Sequence, residues 1–581
     1  MPERRLINTA RSSDLVTTKV LINGTELSRT INILSVVVEK EINRIPSARL
    51  VIADGDPATQ DFSVSNQNLF IPGNEIVITA GYHFEEETIF KGIIIKQNLK
   101  IRTDNSQLIV ECRDVSVKMT IGRKSKYFID KKDSEILEEI ISAYAIDNQI
   151  ESTSVTQKEM IQYNVTDWDF CILRAQLNGK VCFASDGKLV VKSPGYDSDE
   201  VETVSYGATL LDFDAEIDAR SQLPGVTGYS WDYAEQAMVE TEASVPSVNQ
   251  SGNLESDKLA SALQIGNIAL RSGGSKQNSE VQQWVDAKAL FSRLAKIRGR
   301  VKFQGIHAVK PDTVIKLEGV GDRFNGKVYV TGVRHQITEG DWTIDAQFGL
   351  DQRWFAETVN IGDTPAAGLN SAIHGIQTAV VTQLESDPAG EDRIMVKLPA
   401  VDNDVQGTWA RVATLDAGEN RGSFFRPEIG DEVIVGFINE NPNDAVILGM
   451  LNSSAKPAPI VASDDNHEKG FFTRSEMKLV FNDEKKSVVL ETPAGKKISV
   501  DEDSGIVQLE DENGNKFTMD ADGFTIESCK DVIIKATGDV KVEGVNIEFK
   551  AGAQFKAEGS AGAELKSGAS TTISGSIVQI N

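Results

Sequence analysis

The sequence predicts a mainly β protein with a few helices: small β-barrels first, an OB-fold barrel next, and a C-terminal rod wound from three chains. Three observations predict it. Short apolar runs punctuated by turn residues fill the first third. Some eighty residues in the middle carry four or five strand patterns and no helix signal. From Asp531 onward, small turn residues recur every eight positions.

The first region opens on Val20-Leu21-Ile22-Asn23-Gly24-Thr25-Glu26-Leu27, an Asn-Gly pair between apolar runs and therefore a hairpin signal. Further β-rich runs follow at Ile33–Val38, Ala48–Ile52, Ile76–Ala80, Ile89–Ile95 and Leu108–Cys112. Short strands at this spacing suit a small barrel or sandwich. Three helices interrupt them. Asp133 is placed to cap the first, which has Ile136, Leu137, Ile140, Ile141 and Tyr144 on one face. Thr166 caps the second, stopped by Asn178-Gly179. Ser279 with Gln282 makes a capping box for the third, whose face is Trp284, Ala287, Phe291 and Leu294 and whose stop is Gly299. Between the last two helices, about 236–278, polar residues dominate and aromatics are absent; this stretch reads as a long soft loop or partly disordered insertion. The β pattern then resumes from Val301 to Gln347. This first region spans 1–365.

Pro365-Ala366-Ala367-Gly368 starts a linker, and 366–459 forms the helix-free unit, a Greek-key barrel of the OB type. Trp409, Phe424, Phe425 and Phe437 are spaced as its core. Lys456-Pro457-Ala458-Pro459 closes it as a stiff spacer.

The last region, 460–581, begins with strand pairs around Gly505, Asn513-Gly514 and Asp522-Gly523. The octads follow: Gly544, Gly552, Ser560, Gly568 and Ser576 on one phase, Phe549, Ala557, Leu565 and Ile573 on another. A fixed period of turn and inward residues marks a β-solenoid. Each octad offers only one or two apolar residues, too few for one chain to bury alone, and a two-stranded ribbon is marginal in water. Three chains wound together share an axis and leave no open edges. An intertwined homotrimer is therefore expected, with Phe549, Leu565 and Ile573 lining the axis and Ile577, Val578, Gln579, Ile580 and Asn581 forming the blunt end. Six octads at about 4.8 Å per layer give a body roughly 30 Å long.

Charge and chemistry narrow the function. The chain has 581 residues, 60 Lys+Arg and 86 Asp+Glu, a net charge of −26. So acidic a chain repels phosphate backbones and anionic membrane surfaces, which excludes a general nucleic-acid binder. From Asp531 to Asn581, six acids and five lysines leave only −1, so the rod is nearly neutral. The middle barrel, with eleven acids and five bases over 391–455, does not suit single-stranded nucleic acid either. The N-terminus lacks the apolar core of a Sec signal, and no run of eighteen apolar residues exists. Cys112, Cys171, Cys182 and Cys529 are scattered, as in a reducing cytosol. Gly321-Asp322-Arg323-Phe324-Asn325-Gly326-Lys327-Val328 fits the phosphate-loop spacing but ends in Val where a hydroxyl is required, and reads as a hairpin turn. Asp501, Asp503 and Glu512 match three positions of a calcium loop, but Ile506 stands where glycine is needed, so a β-turn is expected. His83, His307, His335, His374 and His467 form no metal motif, and no catalytic residue or cofactor is expected.

Three motifs carry a family resemblance over nearly the whole chain. Gln162-Tyr163-Asn164-Val165-Thr166-Asp167-Trp168-Asp169-Phe170 is the most specific. Phe424-Phe425-Arg426-Pro427-Glu428-Ile429-Gly430-Asp431-Glu432-Val433 is next, followed by Asn325-Gly326, Tyr329-Val330, Val333 and His335. With the order of parts, they resemble the VgrG spike family of type VI secretion and other contractile injection systems, a fusion of a phage tail hub and its central spike. The resemblance implies a homotrimer whose hub, with two similar barrels per chain, adapts a sixfold inner tube to a threefold needle that punctures a target envelope. It implies an inner-tube hexamer protein, baseplate proteins, a PAAR-type tip protein docked at 577–581 and effector cargo as partners, with only transient contact with the target membrane. The first barrel and the strands near Val328 to Val333 are expected to face the tube. Some phage spikes bind iron through His-x-His at the apex; the last histidine here is His467, so any tip metal is expected in the partner. No lysozyme-like insertion and no toxin domain after the rod are expected. The chain is expected to be made in the cytoplasm without a Sec signal, assembled into a particle, and delivered or released extracellularly. The competing readings are a tail-spike-like glycan or peptidoglycan hydrolase, which needs a carboxylate pair that nothing singles out, and a passive adhesin, which needs a receptor-binding domain at the free end.

Overall fold

The computed structural model describes residues 15–248, 251–402 and 407–580. The chain divides into two compact units, one formed by 1–374 with 439–442, the other by 375–438 with 443–581. Each is mainly β. Among the described residues no helix is long and apolar enough to cross a membrane.

The first unit is organised by one 13-stranded sheet. Its N-terminal strands are the expected apolar runs, slightly lengthened: Ile33–Glu41, Ser47–Ala53, Glu75–Tyr82, Glu85–Ile101 and Ser106–Arg113. They alternate buried and exposed residues as a half-buried sheet must. The Asn23-Gly24 pair sits at positive φ, 49° and 80°, and turns Thr17–Ile22 into Thr25–Glu26. The later strands Leu210–Ile217, Ile297–Gln304, Gly326–Thr338 and Asp341–Phe348 continue the same sheet.

Gly326–Thr338 pairs antiparallel with Ile33–Glu41, His335 opposite Val38, and so joins the two halves of this unit into one sheet. Two cores remain. Leu50, Ile52, Phe70, Ile76, Ile78, Phe90 and Leu108 fill the first; Val301, Phe303, Ile315, Leu317, Val330, Ile344 and Phe348 fill the second. Val328 to Val333 lie on the joining strand and are buried, so they do not form an outward face toward a tube as expected from the sequence. Their apolar run is the mark of a strand covered on both sides.

Helices α1 (Asp133–Ser142), α2 (Asp167–Leu177), α3 (Ser256–Ser261) and α4 (Asn278–Leu294) lie beside this sheet, with α1, α2 and α4 packed on smaller sheets of two or three strands. Thr166 caps α2 as predicted, its Oγ1 accepting from the Asp169 N–H at 3.1 Å, and Gly179 follows at φ 66°. The other caps shift. Lys132 holds the N-cap of α1, and Asp133 is instead buried in the first turn, where Arg174 and Asn178 donate to its carboxylate. Gln277 precedes α4, which ends at Leu294; Gly299 lies in the next strand and not at the helix stop.

The soft loop expected over 236–278 contains three elements. Ala237–Glu242 pairs antiparallel, and Ile268–Ser272 parallel, with the strand Val226–Asp232, and α3 lies between them. Neither strand is apolar enough to declare itself, since each borrows its partner from outside the segment. α4 covers this small sheet so closely that a Cβ on Gly228 would lie 2.6 Å from Val281 and 2.8 Å from Val285. Asp257 of α3 is tied to the buried Arg293 of α4 at 2.6 Å.

The second unit holds a closed five-stranded barrel of Gln377–Gln383, Ile394–Lys397, Thr408–Val412, Ala445–Met450 and Glu432–Phe437. Its core is aliphatic, with Ala379, Val381, Ile394, Val396, Ala410, Val433, Val435 and Ile447. Phe424 and Phe425 are not part of it, at 76% and 57% exposed. They lie on a loop, so their spacing in sequence says nothing about an inward face.

A seven-stranded antiparallel meander follows, from Glu468 to Glu527. Its strands pair in sequence order within one chain. After Glu527 no strand is formed by the single chain through residue 580, and Asn581 lies outside the described residues, as do 1–14, where the absent Sec signal was read.

His335, on the joining strand, is fully enclosed and accepts from the Trp342 Nε1–H at 3.4 Å. Burial, then the charges of Lys40 and Lys310, push its pKa from 6.5 down to about 3. The folded form therefore refuses a proton that the unfolded chain takes below about pH 6.5. Stability contributed by neutral His335 is present above that pH and is lost as pH falls toward 3. The melting temperature of the protein, followed from pH 7 to 4, is expected to fall less steeply in His335→Gln than in the parent.

Candidate functional site

Among the described residues no group of three or more His, Cys, Asp or Glu is gathered to hold a metal. The phosphate-loop look-alike is a turn: Phe324 and Asn325 donate their N–H groups to the Gly321 carbonyl between the antiparallel strands Thr313–Glu318 and Gly326–Thr338. The calcium-loop look-alike is another, with the Ser504 N–H on Asp501 Oδ1 at 3.0 Å. His374 pairs with Glu440 at 2.9 Å on the surface. The features that stand out are instead a polar knot and an apolar face.

The knot is the Gln162–Phe170 box. The strand Thr156–Val165 ends where Gln162 Nε2 donates to the Val165 carbonyl at 3.3 Å and to Asp167 Oδ1 at 2.7 Å. The other oxygen of Asp167 accepts from Lys124 Nζ at 2.8 Å and from the Tyr144 hydroxyl at 2.6 Å. Burial pushes the Asp167 carboxyl up, but these donors from Gln162, Lys124 and Tyr144 outweigh it and hold it below the usual carboxylate range. Trp168 and Phe170 point into the core, where Phe170 stacks on Phe128 at 6.1 Å. The box thus fixes the strand-to-helix turn, and its polar residues serve structure; only Tyr163, beside it, is left open to solvent.

The apolar face belongs to the meander. Strand pairing aligns Phe471, Leu479, Leu490, Ile498, Leu509, Phe517 and Ile526 in one row, and Phe481, Val488, Val500, Val507, Met519 and Phe524 in a second. Side chains alternate across a strand, so both rows share one face. Ten of these thirteen side chains are 37 to 55% exposed in the single chain. The opposite face carries a directly registered ladder of alternating charge: Lys478, Glu491, Lys497, Glu510, Lys516 and Glu527. Lys478 meets Glu491 at 3.2 Å and Lys516 meets Glu510 at 3.4 Å. The meander is thus two-faced, charged outside and apolar on the side that one chain leaves uncovered.

The residues singled out in the sequence lie beyond it. Phe549, Leu565 and Ile573 are 71%, 78% and 62% exposed, so nothing in one chain encloses them. Ile577, Val578, Gln579 and Ile580 are exposed as well. The two apolar rows were not singled out in the sequence, although strict alternation in Lys497-Ile498-Ser499-Val500-Asp501 and Lys516-Phe517-Thr518-Met519-Asp520 already carried them.

Two family models match the chain: the Alg8 N-terminal domain over residues 12–339 and the type VI secretion system/phage-baseplate injector OB domain over residues 377–451. No curated protein matches the sequence. Solved structures with similarity include a tail protein of Neisseria meningitidis, 13% identical with a TM-score of 0.44, covering 59% of this chain and 98% of that one. A type VI secretion component of E. coli, described as similar to the bacteriophage T4 tail proteins gp27 and gp5, is 14% identical with a TM-score of 0.35 over 74% of this chain and 100% of that one. A Francisella PdpA-VgrG complex is 9% identical with a TM-score of 0.41, covering 90% and 89%.

Removing the Asp167 carboxylate in Asp167→Ala strands three donors and is expected to cost about 1–3 kcal/mol in denaturant unfolding. Lys124→Met, which removes a half-exposed partner, is expected to cost less than about 1 kcal/mol. Because the Asp167 carboxyl titrates below its ordinary range, its stabilisation is whole above that range and fades as pH drops through the lowered value.

The Alg8 model spans more than half of the chain, so the chain belongs to the Alg8 N-terminal domain family, and its residues 377–451 match the type VI secretion system/phage-baseplate injector OB domain.

Proposed function

We propose that three copies of this chain form the rigid point of a contractile injection machine. The observation that carries this reading is the uncovered double apolar row on the meander. Water does not tolerate thirteen aligned apolar side chains over seven strands. Covering a half-exposed Leu, Ile or Phe gains about 1 kcal/mol each. Three such faces turned toward a common axis cover one another and leave the Lys/Glu ladders outside. A second copy alone would bury one face but would not continue into an octad region that forms no strand by itself. In three copies, the octads of 531–580 find their backbone partners in neighbouring chains, with Phe549, Leu565 and Ile573 on the axis.

The role that follows is mechanical. Thrust from a sheath reaches the first unit, which seats on a sixfold inner tube and baseplate, and leaves through a narrow threefold needle that punctures the target envelope. A PAAR-type tip protein docks at 577–581 and brings any metal itself; effectors ride with tip or tube. Such a protein is made in the cytoplasm and acts outside it. No step of this role needs bond-making chemistry, and purified protein is expected to leave the turbidity of a peptidoglycan suspension unchanged.

Light scattering on the full chain tests the assembly. A mass of three chains is expected, and Ile498→Glu with Leu509→Glu, which puts carboxylates on the shared axis, is expected to yield single chains. A parent protein that is monodisperse and folded as a single copy would overturn the reading.

A further inference from the structure

We propose that the loop Phe424–Asp431 is a brace that locks the barrel to the first hairpin of the meander, so that the element-free stretch between them does not act as a hinge. Between Met450, the end of the last barrel strand, and Glu468, the start of the meander, no strand or helix forms. Ser453, Ser454, Ala455 and several later small residues leave that stretch no core of its own. Left alone, it would let the two parts swing.

The loop closes this gap from the side. One half of it is fixed to the barrel. The Arg426 guanidinium donates to the Leu384 carbonyl at 3.2 Å and the Asp392 carbonyl at 3.3 Å, and also pairs with the Asp392 carboxylate. It lies 5.2 Å from the Phe424 ring centre, so the same cation shapes the loop. The Gly430 N–H donates to the Val381 carbonyl on the first barrel strand, at 2.8 Å, and Gly430 takes φ 87° to do so.

The other half reaches forward. Phe425 stacks on Phe471 of the first meander strand, centroids 5.3 Å apart and planes 14° from parallel. Glu428 accepts from the Arg474 guanidinium at 2.8 Å, in the turn after that strand. Lys456, inside the connecting stretch, donates to the Gly430 carbonyl and pairs with Asp431, both at 2.7 Å. One eight-residue loop therefore holds the barrel, the connector and the rod hairpin together. A surface ion pair alone is weak, but here it shares a rigid loop with an aromatic stack and two anchors, so the contacts are made together. For a protein that transmits thrust, which rests on the reading above, the brace is what makes barrel and rod one lever.

Digestion of the full chain by proteinase K, which requires no basic residue, tests this. Cleavage within 451–467, located by mass spectrometry, is expected to quicken about fivefold or more in Phe425→Ala with Glu428→Lys, the factor a lost aromatic contact supplies. The charge swap Glu428→Arg with Arg474→Glu, with Phe425 kept, is expected to cleave at the parental rate, whereas Glu428→Arg alone cleaves faster. A double variant that cleaves as slowly as the parent, or a swap as labile as Glu428→Arg, overturns the brace. All its contacts lie within one chain. A light-scattering mass of one chain with this cleavage pattern would therefore overturn the three-copy reading and leave the brace standing.

Discussion

The meander from Glu468 to Glu527 satisfies its backbone within one chain and leaves its apolar side chains unsatisfied. That imbalance is the constraint on which the rest of the molecule depends. Hydrogen bonding runs strand to strand along the meander, whereas hydrophobic burial is incomplete in the single chain. On the reverse face Lys and Glu stand in direct register and offset each other's charge while staying in water.

The first unit shows the opposite strategy. Its apolar content is spent inside the chain, on two cores under one continuous sheet and a third among the helices. Three of its enclosed carboxylates are met by several donors each. Asp133 receives Arg174 and Asn178, Asp167 receives Gln162, Lys124 and Tyr144, and Asp312 receives Tyr329 and the Gly195 N–H. Asp133 ties two helices together, Asp167 ties a helix start to strands, and Asp312 ties turns to a strand. The motif with the strongest family signature, Gln162–Phe170, is such a tie. Its residues together satisfy one carboxylate and cap one helix.

What was legible in the sequence follows the range of the interactions involved. Thr166, Asn178-Gly179 and Asn23-Gly24 act on neighbours within four residues, and the structure places the helix start, the helix stop and the hairpin where those residues put them. The barrel strands at 394–397, 432–437 and 445–450 announce themselves by continuous apolar runs. The strands 237–242 and 268–272 do not, because both are completed by 226–232, outside the segment that was read as soft. Val328 to Val333 misled for the same reason: a strand covered on both faces differs from an outward-facing one only through partners that the local sequence does not contain. Phe424 and Phe425 look like core by residue type, yet a loop offers no inside. The two apolar rows were visible as alternation, but that they align across seven strands is a matter of register, which turn lengths set and single strands do not reveal.

The pairing of Ile33–Glu41 with Gly326–Thr338 has a consequence for how the molecule comes into being. The two strands lie about three hundred residues apart. During synthesis the earlier strand waits, its edge bare, until the later one has left the ribosome, and closing so long a loop is slow. A naked strand edge through about half of translation invites pairing with the wrong chain. A cell producing this protein in quantity thus has to shield a nascent edge for about as long as half of the chain takes to make.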